Sequence, residues 1–174
     1  IVNNESADIL RMLNSAFAEL VSSDVDLCPK DLADDIESLN LDIYNNLNNG
    51  VYQAGFATTQ PAYEEAYHQV FHMLDLLEKR LSDGRQYLFG TQLTESDIRL
   101  FVTLVRFDAA YYGLFKCNRH LIKDMNALHA YMLRILALDG IAATVSVEHI
   151  KAGYYSIKAL NPNGIVPVGP KSIQ

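Results

Sequence analysis

One segment limits the fold more than any other. Behind Thr94-Glu95-Ser96-Asp97 come Ile98, Leu100, Phe101, Leu104, Val105 and Phe107. They lie nearly all round the helix that their spacing predicts, which runs to about Tyr112. A helix apolar on every side has to be buried, and it forms the centre of an all-α bundle. Thr94 and Asp97 stand three apart, the spacing of a reciprocal cap in which each side chain serves the other's backbone.

The remaining segments supply layers around that centre. Ile9, Leu10, Leu13, Phe17 and Leu20 recur at helical spacing and predict an amphipathic helix over residues 6–21. Ile1 and Val2 before it read as the end of a strand. A polar loop containing Pro29 follows. Asp34-Asp35 opens a second helix with Ile36, Leu39, Ile43 and Leu47 inward, and Asn48-Asn49-Gly50 reads as its stop. Residues 51–59 read as an irregular stretch or a broken helix. Pro61 starts a long helix to Leu81, with Val70, Leu74, Leu77 and Leu81 on one stripe. Further helices are predicted over 125–138 and 147–157, before an extended, turn-rich tail.

Composition narrows the partners. Of 174 residues, 49% are hydrophobic and 20% charged, which fits one ordinary domain with a real core. The formal net charge is −7 and no basic run exceeds two residues, which argues against nucleic acid or an acidic membrane surface. No apolar stretch reaches membrane-spanning length. The cysteines, Cys28 and Cys117, do not form a disulfide framework, so an intracellular, cytoplasmic setting is expected.

Several groups need weighing. Glu64, His68 and His72 share a helix face, but no third ligand is near, so a solvated or half-buried face is expected and no metal. Cys28 reads as a loop thiol and Cys117 as a small core residue. Arg106 and Asp108 are expected to pair and hold the bundle together. Glu5 and Ser6 open the first helix. They are either plain caps or a site for a small zwitterion, with helix N–H groups for its carboxylate and Glu5 for its ammonium. A site like this normally lies inside a domain, so the chain reads as part of a longer protein. Tyr52, Tyr111 and Tyr154 are each acceptable packing residues, and no spacing rule joins them.

Together these residues resemble the C-terminal all-helical domain of glutathione transferases. Leu93-Thr94-Glu95-Ser96-Asp97-Ile98 is similar to that superfamily's N-capping box, preceded by the Tyr-Leu-hydrophobic-Gly link at Tyr87-Leu88-Phe89-Gly90. More narrowly, the chain resembles the Xi class, the glutathionyl-hydroquinone reductases. The stretches that match are 1–6, 49–57, 104–108, Phe115-Lys116-Cys117-Asn118, Glu148-His149-Ile150-Lys151 and 161–167. The resemblance implies a remnant of a thioredoxin-like domain over 1–22, a linker over 23–32 and the helical domain over 33–174. It implies glutathione as co-substrate, held at its γ-glutamyl end by Glu5 and Ser6, and a homodimer. Tyr52 matches a proton donor to the hydroquinone, and Tyr111 and Tyr154 match two tyrosines that face the catalytic sulfur. The implied reaction reduces a glutathionyl-hydroquinone to the hydroquinone: a cysteine takes the glutathionyl group as a mixed disulfide, and a second glutathione releases it as the oxidised dimer. Two departures stand out. The family's nucleophile, in a Cys-Pro-Trp motif, matches neither Cys28 nor Cys117, so this chain alone should be inactive. Ala109 also stands where proline is frequent. The alternatives are an Omega-like thioltransferase or dehydroascorbate reductase, and a non-catalytic interaction domain on the same fold.

Overall fold

A computed structural model describes residues 3–17, 20 and 25–173. The expected strand end at Ile1 and Val2 lies outside the described residues. So do parts of the stretch read as the end of the first helix and the start of the linker.

The first helix, α1, covers Ser6–Ser15, with the Glu5 side chain accepting from the Ala7 N–H. It is shorter than its apolar pattern suggested, and no residue of it is buried. Leu13 is 63% exposed. A polar contact ties α1 to the bundle instead. The Arg11 guanidinium bonds Glu95 at 2.8 Å and also reaches Glu37. Glu95 is buried and accepts a further bond from Asn40 at 2.7 Å. The pair holds Arg11 in its charged form.

Helix α2 (Ala33–Ile43) continues through a π-helical turn, Tyr44–Asn48, into α3 (Gly50–Gly55). The expected stop at Asn48-Asn49-Gly50 is therefore a bend between helices. The glycine is there for space. A Cβ on Gly50 would meet Val70 Cγ2 at 3.0 Å, so its absence lets α3 lie close against α4. The stretch read as irregular or as a broken helix is helical in its first half, where Val51 and Ala54 are buried in the core.

Helix α4 (Gln60–Leu81) begins at the Thr59 cap, with Pro61 in its first turn, and buries the expected stripe. Its Glu78 carboxylate accepts from the Ala127 and Leu128 N–H groups at 2.8 and 2.7 Å, capping α6 (Asn126–Leu136) from another helix. The central helix α5 (Glu95–Arg106) carries the Thr94–Asp97 capping box. It runs into a second π-helical turn, Phe107–Tyr111. Helix α7 covers Val147–Tyr155. No strand occurs among the described residues, only two isolated bridges around Tyr87–Gln92.

Two expectations about α5 are corrected. It is not buried all round, since Val102 is 41% exposed on a side it shares with Arg99 and Arg106. The Arg106–Asp108 pair does not form. Residues two apart on a helix point to opposite sides. Arg106 bonds the Val102 carbonyl of its own helix. Asp108 accepts from the Ile122 and Lys123 N–H groups at 2.7 and 3.2 Å, and burial pushes its carboxyl up.

Candidate functional site

Three elements meet at one end of the bundle. The π-helical turn after α2 sets the start of α3 and so the position of Tyr52. The second π-helical turn ends at Tyr111. Helix α7 presents Tyr154. Their hydroxyls form a chain, with Tyr154 in the middle at 2.8 Å from Tyr52 and 2.7 Å from Tyr111. Tyr111 lies inside at 3% exposure and Tyr52 lies outside at 37%.

Phe115 supports all three rings, with centroids 5.2, 5.2 and 5.8 Å from Tyr52, Tyr111 and Tyr154. It has its place because Gly55 has no side chain. A Cβ there would lie 2.6 Å from the Phe115 ring. Gly55→Ala is therefore expected to push Phe115 aside and lower stability by ~1–3 kcal/mol. Urea unfolding checks the loss, and a change in near-ultraviolet tyrosine circular dichroism reports the displaced cluster. An alanine variant as stable as the wild type would show that the contact is slack.

Burial keeps the Tyr154 and Tyr111 phenols protonated. It pushes Tyr154 up to about 12, against the charge of nearby Arg106, and holds Tyr111 higher still. Through the neutral range both are therefore donors.

A cleft of about 470 Å³ is lined by Glu5, Ser6, Tyr52, Tyr111 and Tyr154, together with Arg99 and Arg106. The five residues singled out for chemistry in the sequence thus border one space, although they come from separate segments. A second cleft of about 450 Å³ adjoins it and shares Tyr52, Val102, Arg106 and Tyr154. Its other walls are mainly apolar, among them Phe101, Val105, Ile150 and Ile157. Sequence reasoning missed Arg99 and Arg106 as cleft residues. The signal was present, because Arg99, Val102, Thr103 and Arg106 form one stripe at helical spacing that interrupts an apolar helix.

Thr94 and Asp97 are structural and fully buried. Burial pushes the Cys117 thiol up to about 12. The Cys28 thiol is raised by burial and by the Glu95 carboxylate. Neither environment favours a thiolate. His68 and His72 belong to no group of three or more metal-ligating side chains among the described residues. No helix among the described residues is long and apolar enough to cross a membrane.

Residues 60–134 match the family described as glutathione S-transferase, C-terminal domain. The glutathionyl-hydroquinone reductase PcpF of Sphingobium chlorophenolicum is 50% identical over 98% of this chain and 54% of its own length. The glutathione-bound structure of YqjG from Escherichia coli superposes with a TM-score of 0.95 at 49% identity, covering 98% of this chain and 55% of that one. Glutathione transferase Xi 1 of Trametes versicolor gives 0.94 at 49% identity, over 98% and 60%. The chain is thus similar over nearly its whole length to glutathione transferases, one of them of the Xi class, and over residues 60–134 to their C-terminal domain. It spans about half the length of the curated relatives it matches.

Proposed function

We propose that the protein containing this chain is a glutathione-dependent reductase of glutathionyl-hydroquinones. The observation that carries this reading is the hydroxyl chain of Tyr52, Tyr154 and Tyr111 in a cleft that also holds the start of α1. Glu5 and Ser6 would receive the γ-glutamyl end of glutathione, with the carboxylate at the helix N-terminus and the ammonium on Glu5. The aromatic ring would lie in the adjoining apolar cleft. A protein thiolate attacks the glutathione sulfur, the sulfur–ring bond breaks, and Tyr52 gives a proton to the departing hydroquinone. Glutathione is left on the protein as a mixed disulfide. A second glutathione thiolate then releases oxidised glutathione and restores the protein thiolate. The mutual bonds of the three phenols take two of their three O–H protons, so the Tyr154–Tyr111 pair would turn the remaining donor towards the sulfur and favour its ionised form.

The thiolate is neither Cys28 nor Cys117, whose environments disfavour ionisation. This chain by itself is therefore expected to give no turnover of a glutathionyl-hydroquinone above buffer. Hydroquinone release followed by chromatography checks this, and turnover abolished by Cys28→Ser or Cys117→Ser would overturn it. For the full-length protein, the expected products are the hydroquinone and oxidised glutathione in equal amounts. Reduction of dehydroascorbate without reduction of the glutathionyl-hydroquinone would favour the Omega-like reading instead. The homodimer is part of the same proposal.

A further inference from the structure

Arg106 is a cation that the proposed reaction does not use. Its guanidinium borders both clefts, beside Tyr52 and Tyr154. Among the described residues it makes one hydrogen bond, to the Val102 carbonyl. No carboxylate pairs with it among the described residues, although a guanidinium offers several N–H donors. The chain as a whole is acidic, with 21 Asp and Glu against 14 Lys and Arg. Even so, no Asp or Glu lines the apolar cleft. Glu5 is the one carboxylate on the neighbouring cleft, at the α1 end. An unpaired guanidinium among aromatic and aliphatic walls attracts an anion more strongly than it would in open water.

We infer that Arg106 sets substrate choice, by binding an ionised acid group carried on the ring of the glutathionyl-hydroquinone. The inference rests on the proposed reductase reading and adds the substrate class. A ring seated in the cleft beside Tyr52 and Tyr154 lies next to the guanidinium, which can take a carboxylate through two parallel N–H donors. The neutral ester of the same ring offers no charge to match.

The test uses the full-length protein and two probes, a glutathionyl-hydroquinone bearing a ring carboxylate and its methyl ester. Both contain the same glutathione, so contacts to the tripeptide cancel in the ratio of their kcat/KM values. The wild type is expected to prefer the acid by roughly ten- to hundredfold, the range of a charge-assisted hydrogen bond. Arg106→Gln should bring the ratio to about one, and Arg106→Lys should keep a reduced preference for the acid. A wild type that prefers the ester or treats the two alike overturns the inference, and so does Arg106→Gln with its preference intact. The wild-type comparison decides the matter if the glutamine variant does not fold. Turnover of neither probe would sink the reductase reading itself, which is a different result from turnover without discrimination.

Discussion

Asp97→Ala is expected to cost the isolated domain ~3–5 kcal/mol of stability, because it leaves several buried donors without an acceptor. The Asp97 carboxylate is fully buried and accepts from the Leu88 N–H, the Thr94 N–H and hydroxyl, and the Tyr131 hydroxyl, all at 2.8–2.9 Å. These bonds join the start of α5, the link before it and α6. Thr94→Ala should cost less, ~1–2 kcal/mol, since it removes a cap hydroxyl and leaves the carboxylate with its other partners. For a chain of this size the midpoint of thermal unfolding should fall by about 10 °C in Asp97→Ala and by a few degrees in Thr94→Ala. Urea and thermal unfolding followed by circular dichroism decide it. Equal losses in the two variants, or an Asp97→Ala loss under about 1 kcal/mol, would mean that the network is not cooperative.

The parts of the fold legible from spacing were the long, strongly patterned helices. α4 starts one residue before its expected Pro61, and its buried stripe is the predicted one. The capping box was readable from Thr94 and Asp97 because both partners are local. Two errors had a common cause, which is that a sequence shows neighbours along the chain and not across the bundle. Gly50 read as a stop, yet it opens α3 at a bend between helices, where its missing side chain makes room for Val70. Arg106 and Asp108 read as a pair, yet one turns to the cleft and the other serves the turn at Ile122. Periodicity showed that α1 has an apolar side but not what covers it, and in the bundle that side is exposed. The tyrosines show the same limit in the site. Tyr52, Tyr111 and Tyr154 follow no shared period, and only packing around Phe115 joins them. Their grouping came from resemblance to the Xi class.

In the full-length protein, Tyr52→Phe is expected to lower kcat by ~10²–10³, because it removes a proton donor that matters mainly in the transition state. The KM for glutathione should change little, since Tyr52 stands on the ring side and the γ-glutamyl end is placed at Glu5 and Ser6. Tyr154→Phe should act differently. Its hydroxyl is the middle of the chain, bonded to both other phenols, so its loss isolates Tyr52 from Tyr111. Tyr154 and Tyr111 are both protonated donors at neutral pH, as burial raises their pKa. A neutral donor aimed at sulfur favours the thiolate, so removing it raises the thiol pKa. The acid limb of the pH–rate profile should then move upward, further for Tyr154→Phe than for Tyr111→Phe. The sign follows from the charge, because a thiolate with fewer hydrogen bonds holds its proton to higher pH. Profiles of kcat/KM for the three variants, with alkylation rates of the thiol as an independent readout, separate the roles. If Tyr52→Phe moves the thiol pKa while the other two variants leave it in place, proton donation belongs to the inner phenols and sulfur activation to the outer one.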